Sequence, residues 1–254
     1  MKIALFSDIH ANLPALEAFF ESMDSKKPDF VYCLGDLVGY NIWPNEVIHE
    51  IRKRNIPTIA GNYDQGVGLA GDDCGCAYKT DHDKSNGEES IAYTNRVVKT
   101  EERNYLRNLA SHIRLEYNLT SEKFNLLMVH GSPRKINEYL FVDREEKSFL
   151  RILGQAVAHI MVFGHTHKPF HRIFKDNSRN YRHAINIGSV GKPKDGDPRG
   201  CYAILALDES FALNKSDSLN VEFVRFEYDV EKAARAVEES PLPNDFADML
   251  RKGY

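Results

Sequence analysis

The sequence predicts an α/β fold built from two mixed sheets with helices on the outside. Two observations carry this. Residues 2–60 alternate short apolar runs with helical periodicity in a βαβαβ rhythm, whereas residues 113–226 hold many strand-like runs with little helix between them. A single parallel sheet would need a helical crossover before each late strand, so two mixed sheets fit better. A chain of 254 residues can bury one substantial core, and a single domain over 1–254 is expected.

Residues 2–7 read as a strand that stops at Ser7-Asp8. Leu13 to Met23 has helical periodicity, with Asn12 as cap and Pro14 in the first turn. Phe30–Leu34 is a second strand ending at Gly35-Asp36. Pro44 opens a helix to about Arg54, and Ile56–Ala60 reads as a third strand ending at Gly61-Asn62. Gly66 to Gly87 is rich in Gly and Asp without a long apolar period, as in an irregular, lid-like excursion. Helical patterns resume at about Glu88–Val98 and Thr100–Leu109, with Thr100 as a lone cap. Strands are expected at Ile113–Leu119, Phe124–Val129, Ile160–Phe163, His171–Lys175, Arg182–Ile187, Tyr202–Leu207 and Leu219–Phe226. A helix at Asp143–Leu153 separates the second and third of these. Amphipathic helices after residue 228, at Val230–Glu239 and beyond Pro243, follow.

The formal net charge of -4, with both signs interspersed, gives no support to an extended nucleic acid as partner. No run reaches the roughly 18 apolar residues of a membrane span, and Ile3 enters a strand without a signal-like leader, so a cytoplasmic location is expected. Basic residues gather between Lys192 and Arg199, which suits a small anionic substrate. Cys33 and Cys201 sit in apolar runs as buried thiols, while Cys74 and Cys76 have the wrong spacing for a zinc knuckle and read as loop residues rather than metal or redox groups.

The chemistry lies at the strand ends. Asp8, His10, Asp36, Asn62, His130, His165 and His167 fall on five short segments, each beside an apolar run. Ligands leaving adjacent strands converge on one edge of a sheet. These seven side chains can fill eight coordination roles if Asp36 bridges two ions through its two oxygens. Gly35 and Gly61 would let backbone approach such a cluster without a Cβ clash. Mixed nitrogen and oxygen ligands suit Mn or Fe, and also Zn, Ni or Co. Paired ions would activate water for in-line attack on phosphorus with no covalent residue, which points to a two-metal hydrolase.

The ordered set Asp8-x-His10, Gly35-Asp36, Gly61-Asn62, His130 and Gly164-His165-x-His167 resembles the calcineurin-like metallophosphoesterase superfamily over residues 3–190. Asp36-Leu37-Val38-Gly39-Tyr40 and the run Ile187 to Pro193 look most like its small YfcE-like phosphodiesterase group. The resemblance implies a four-layer αββα sandwich. It also implies one metal held by Asp8, His10, Asp36 and His167, and another by Asp36, Asn62, His130 and His165. Where the family commonly has a catalytic histidine after the asparagine, this chain has Tyr63, a phenol that can donate but is no imidazole. Tyr63 is either a transition-state contact or packing, and Asp64 a candidate acceptor that orients a motif side chain.

Lys192, Arg199 and Arg134 are candidate substrate contacts, with Gly188 to Gly191 offering backbone N–H groups to phosphate. Tyr40, Trp43, Tyr78 and Tyr139 offer flat surfaces to a base. The expected activity is phosphoester or phosphoanhydride hydrolysis in a small, soluble, nucleotide-like substrate, tilted toward leaving groups that are already phosphates. A phosphomonoesterase, a nuclease and a weakly catalytic phosphate-binding regulator are the alternatives. Both a monomer and a homo-oligomer are compatible with the sequence.

Overall fold

The computed structural model describes residues 1–118 and 123–254. In chain order the first half runs β1 (Lys2–Phe6), α1 (Leu13–Lys26), β2 (Phe30–Cys33), α2 (Pro44–Lys53), α3 (Asn62–Gly68), α4 (Asp81–Val97) and α5 (Thr100–Arg107). The second half runs β3 (His112–Tyr117), β4 (Phe124–Val129), α6 (Glu146–Gln155), β5 (Ile160–Phe163), β6 (Phe170–Lys175), β7 (Tyr181–Asn186), β8 (Gly200–Ala206), β9 (Asn220–Phe226), α7 (Val230–Glu238) and α8 (Asp245–Lys252).

The period of two along the central strands builds the layers. In β1, Ile3 and Leu5 join one apolar cluster while Ala4 and Phe6 join another. In β4 and β5, Leu126, Met128, Ile160 and Val162 share the first cluster with Ile3 and Leu5. Their alternates Leu127, Val129, Met161 and Phe163 pack on Phe149, Ile152 and Leu153 of α6. Ala4 and Phe6 face α1, α2, α7 and α8 through Phe19, Ile48, Val237 and Phe246. The result is helix, sheet, sheet, helix: the four-layer αββα sandwich. Both faces of the central strands are covered, so β4 and β5 read as continuous apolar runs. Each fully buried Leu or Ile in the middle layer is worth roughly 1.5–3 kcal/mol.

Both sheets are mixed. The first has the order β2-β1-β8-β9 and the second β3-β4-β5-β7-β6. β1 is parallel to β2, and β4 is parallel to β5 and β5 to β7, so these strands end on one edge of the sandwich.

Several expectations need correction. Ile56–Ala60 is not a regular strand; it makes only single bridges, Cys33 to Thr58 and Ile59 to Ala110. The lid-like excursion is shorter than 66–87, because α3 runs to Gly68 and α4 starts at Asp81 rather than Glu88. The added turns are polar and lack an apolar stripe, but Thr80 caps them by accepting from the Asp83 N–H at 3.0 Å. Asp81 and Asp83 also suit the positive helix end. Thr100 lies inside α5 instead of capping it; Lys99 is the boundary and gives no side-chain cap. Helix α6 starts at Glu146 rather than Asp143. The Asn12 cap stands, its Oδ1 accepting from the Ala15 N–H. The expected strand end at Leu119 lies outside the described residues. Among the described residues no helix is long and apolar enough to cross a membrane.

Candidate metal centre

Six of the seven candidate ligands sit where a strand gives out at the common edge, and the seventh, Asn62, sits at the start of a helix. Asp8 and His10 follow β1, Asp36 follows β2, His130 ends β4, His165 and His167 follow β5, and Asn62 opens α3. All seven are buried, at 0–3% exposure. Their donor atoms fall into two compact triads, Asp8–His10–His167 and Asp36–His130–His165, each with atoms within 4.8 Å of one another.

The backbone is bent to achieve this. Asp8, His10, Asp36, His165 and His167 all have left-handed φ, between 51° and 66°. Non-glycine residues enter that region at a cost of order 1–3 kcal/mol each, and such strain clusters at functional sites. Gly35 takes φ +86° where a Cβ would overlap Gly61 N, and a Cβ on Gly61 would overlap Asp36 Oδ1. The two glycines let the Asp36 and Asn62 loops lie against each other.

Hydrogen bonds aim the ligand atoms. His10 Nδ1 bonds Val38 O at 3.0 Å, His130 Nδ1 bonds Leu34 O at 2.8 Å, and His167 Nδ1 bonds Lys192 O. Donation from Nδ1 leaves each Nε2 lone pair for the cluster. Asp8 Oδ2 accepts from Ser7 Oγ at 2.5 Å and from His165 N at 3.1 Å, leaving Oδ1 buried without a hydrogen bond and 3.2 Å from His167 Nε2. Asn62 Nδ2 donates to Cys74 O at 3.0 Å and Cys76 Sγ at 3.2 Å, which turns Oδ1 to within 3.1 Å of His130 Nε2.

Asp36 is anchored at one oxygen and open at the other. Its Oδ1 is taken by the Tyr63 N–H at 2.9 Å. Oδ2 alone spans the two triads, 3.6 Å from His10 Nε2 and 3.3 Å from His130 Nε2.

This donor set fits divalent ions. His10 Nε2 and His167 Nε2 face each other at 3.2 Å, and His165 Nε2, like Asp8 Oδ1, is a buried polar atom without a hydrogen bond. Burial holds His10 and His165 down to about 3, so neutral imidazoles carry lone pairs there. Burial alone would lower His130 too, but the Asp36 and Asp8 carboxylates raise it to about 10, a measure of the pull on a cation at that point. Buried lone pairs converging on two carboxylates are what a metal pair satisfies.

The other candidates divide. Among the described residues Asp64 hydrogen-bonds to no ligand side chain: it accepts from Leu37 N at 2.9 Å and Gly61 N at 3.0 Å, tying the Asp36 loop to the start of α3. Burial, with Asp36 nearby, raises Asp64 to about 7. Tyr63 is buried, its ring edge-on to His10 at 5.5 Å and tilted on Tyr40 at 4.9 Å. Burial pushes its phenol well up, so it stays protonated. Arg134 is forked onto Glu138 beside a cavity that also touches His130. Arg199 is exposed and forked onto Asp197, and none of its contacts reaches a candidate ligand. Lys192 is buried at 3% exposure. Burial, with Lys194 beside it, holds its ammonium well below the usual lysine range.

Three of the four N–H groups of the glycine-rich run 188–191 are engaged within the chain rather than offered to phosphate. Gly188 N donates to Asn186 Oδ1, Val190 N to Ser7 O, Gly191 N to Asp8 O, and Lys192 N to Ser189 Oγ. Those donors brace the ligand loop instead. Ser7 and Ser189, whose Oγ donates to Asp8 O at 2.7 Å, carry weight the motif spelling does not show. Cys74 and Cys76 lie Sγ to Sγ at 3.2 Å as free thiols, and the role of Cys76 as acceptor for Asn62 is also absent from the spacing.

Comparison with known proteins agrees with this geometry. Residues 1–210 match the family described as the calcineurin-like phosphoesterase superfamily domain. An uncharacterised protein of Methanocaldococcus jannaschii is 32% identical over 265 residues, covering 99% of this chain and 98% of that one. The crystal structure of a metallophosphoesterase from Sphaerobacter thermophilus is 27% identical and superposes with TM-score 0.73 over 100% of this chain and 99% of its own. A hypothetical protein from Pyrococcus horikoshii, at 22% identity, shares the fold with TM-score 0.79 over 100% of this chain and 98% of that one.

Proposed function

The chain belongs to the calcineurin-like phosphoesterase superfamily, and from that premise we propose that it hydrolyses phosphodiester or phosphoanhydride bonds in a small, nucleotide-like substrate of the cytoplasm. The observation that carries the reading is Asp36 Oδ2, buried between the two triads and facing an imidazole of each. Asp8, His10, Asp36 and His167 would hold one ion, and Asp36, Asn62, His130 and His165 the other. Two divalent ions bound there would lower the pKa of a water toward neutrality and offset charge gathering on the phosphoryl oxygens. The nitrogen and oxygen donors favour Mn or Fe over a hard all-oxygen site, with Zn, Ni and Co also suited.

The chain's own part is positional. Backbone carbonyls fix the tautomers of His10, His130 and His167, Ser7 and the His165 N–H fix Asp8, and Cys74 and Cys76 fix the Asn62 amide. Burial of every ligand keeps bulk water from competing for these donors. With Tyr63 in place of an imidazole, the leaving group gets less help from a proton donor, which supports phosphates over alcohols as leaving groups.

The test is hydrolysis of a chromogenic phosphodiester by Mn-loaded protein, repeated after exhaustive chelation. Activity vanishes on chelation and returns with Mn, and Asp36→Asn loses more than the roughly 10–100-fold typical of changes outside the ligand set. Activity insensitive to both treatments rejects the reading.

A further inference from the structure

A cavity of about 300 Å³ lies against the metal centre, and four residues of its wall each touch a different candidate ligand. The Tyr40 ring meets His10 at 4.9 Å, Tyr139 meets His165 at 4.2 Å, Cys76 Sγ accepts from Asn62, and Lys192 O accepts from His167. Its size is at the lower end for small-molecule sites.

Its charge is one-sided. Three lysines, Lys79, Lys192 and Lys194, line it against one carboxylate, Asp83. Lys192 Nζ sits 4.6 Å from the Tyr40 ring centroid and Lys194 Nζ 6.0 Å from the same ring. The polar contact of Lys192 Nζ is Met249 Sδ at 3.3 Å, a weak acceptor. Among the described residues neither Lys192 nor Lys194 makes an ion pair within 4.0 Å. A buried lysine is ordinarily either paired with a carboxylate or neutral, so Lys192, which lines a cavity without such a partner, gains a stable charge when an anion enters from outside the chain.

Resting on the hydrolase reading, we propose that Lys192 and Lys194, set over Tyr40, form a second anion subsite that takes the phosphate next to the scissile one. The favoured substrates are then phosphoanhydrides rather than diesters with no further charge. In the reaction the water oxygen bonds to the scissile phosphorus and the bond from phosphorus to the bridging oxygen breaks. That oxygen leaves with the electron pair as part of a phosphate anion beside the two ammonium groups. One water proton goes to solvent, and the other stays with the phosphate product or follows it according to pH. No acid is needed on the leaving group, which matches the phenol at position 63.

The experiment compares kcat/KM of Mn-loaded full-length protein for a dinucleoside tetraphosphate and for bis(p-nitrophenyl) phosphate. In Lys192→Met, and separately in Lys194→Ala, the ratio of the two falls at least about tenfold, as expected for loss of a charge-assisted contact, with the change carried in KM. A ratio that moves less than that overturns the proposal, whether both rates drop together or neither does. Lys194 is only partly buried, so its variant decides the matter if Lys192→Met fails to fold. Calorimetric binding of methylenediphosphonate to the same proteins separates the two claims. If wild type cleaves neither ester, the hydrolase reading fails. The subsite still stands when both variants bind the diphosphonate at least tenfold more weakly, and falls when they bind it as wild type does.

Discussion

Replacing Ser7 by alanine isolates one arm of the site. The Ser7 hydroxyl donates to Asp8 Oδ2 at 2.5 Å with both side chains buried, and the His165 N–H supplies the other bond at 3.1 Å. Ser7→Ala removes one of two donors to that oxygen and little volume. A hydrogen bond to a charged group is worth about 1.5–3 kcal/mol, or about 10- to 150-fold in an equilibrium constant. The loss falls on the deprotonated carboxylate, the form a cation needs. The expected result is Mn affinity reduced about 10–100-fold at the Asp8–His10–His167 triad, with the Asp36–His130–His165 triad close to wild type. Titration calorimetry on chelated full-length protein resolves the two sites. Two unchanged affinities, or two equal losses in a variant of normal thermal stability, refute the reasoning that Ser7 acts through Asp8.

Three further outcomes are expected. His183 is buried against His171, Nδ1 to Nε2 at 2.9 Å, and burial lowers it from 6.5 to about 3. The unfolded chain takes up this proton below pH 6.5 and the folded chain does not, so stability falls as pH drops from 6.5 toward 3. Between pH 7 and 5 this removes about 2 kcal/mol, and His183→Gln flattens a urea-melt pH profile by that amount; an unaltered slope rejects it. Tyr63→Phe slows esters with a poor alcohol leaving group more than those leaving as nucleotide; equal rates for wild type and variant on both substrates strip the hydroxyl of any catalytic task. Asp64→Ala unties Leu37 and Gly61, two buried N–H bonds worth together about 1–3 kcal/mol, and a chemical-denaturation midpoint equal to wild type contradicts that role.

Much of the sandwich is legible because its signals are local. Runs such as Phe124–Val129 and Ile160–Phe163 are short and predominantly apolar, and Pro14 and Pro44 open helices where their fixed φ suits. The distribution of late strands between sheets is not local. β6 and β7 complete the second sheet while β8 and β9 return to β1, and nothing in their residues announces the partner. Helix α4 was hidden for a related reason. Its first two turns hold the exposed Asp81, His82 and Lys84, so only the Thr80 cap marks them, and a cap without a periodic stripe is a weak signal.

The ligand set is legible as residue types after strands, but the conformation that makes it work runs against local propensity. Asp8, His10, Asp36, His165 and His167 all occupy the left-handed region, where glycine would be easier but would supply no donor atom. The chain can hold them there only because bonds from distant loops over-determine each one: Ser189 and Gly191 on Asp8 O, Gly35 O on the Asp8 N–H, and Asp36 O on the His10 N–H. This explains why the glycine-rich run reads as a phosphate cradle from its spelling and acts as a brace in the fold. Its N–H groups are chemically suited to either partner, and the buried carbonyls of Ser7 and Asp8, which have no water to turn to, claim them first. On the proposed reading, anion binding is left to side chains that make no ion pair among the described residues, a condition Lys192 meets and Arg199, forked onto Asp197, does not.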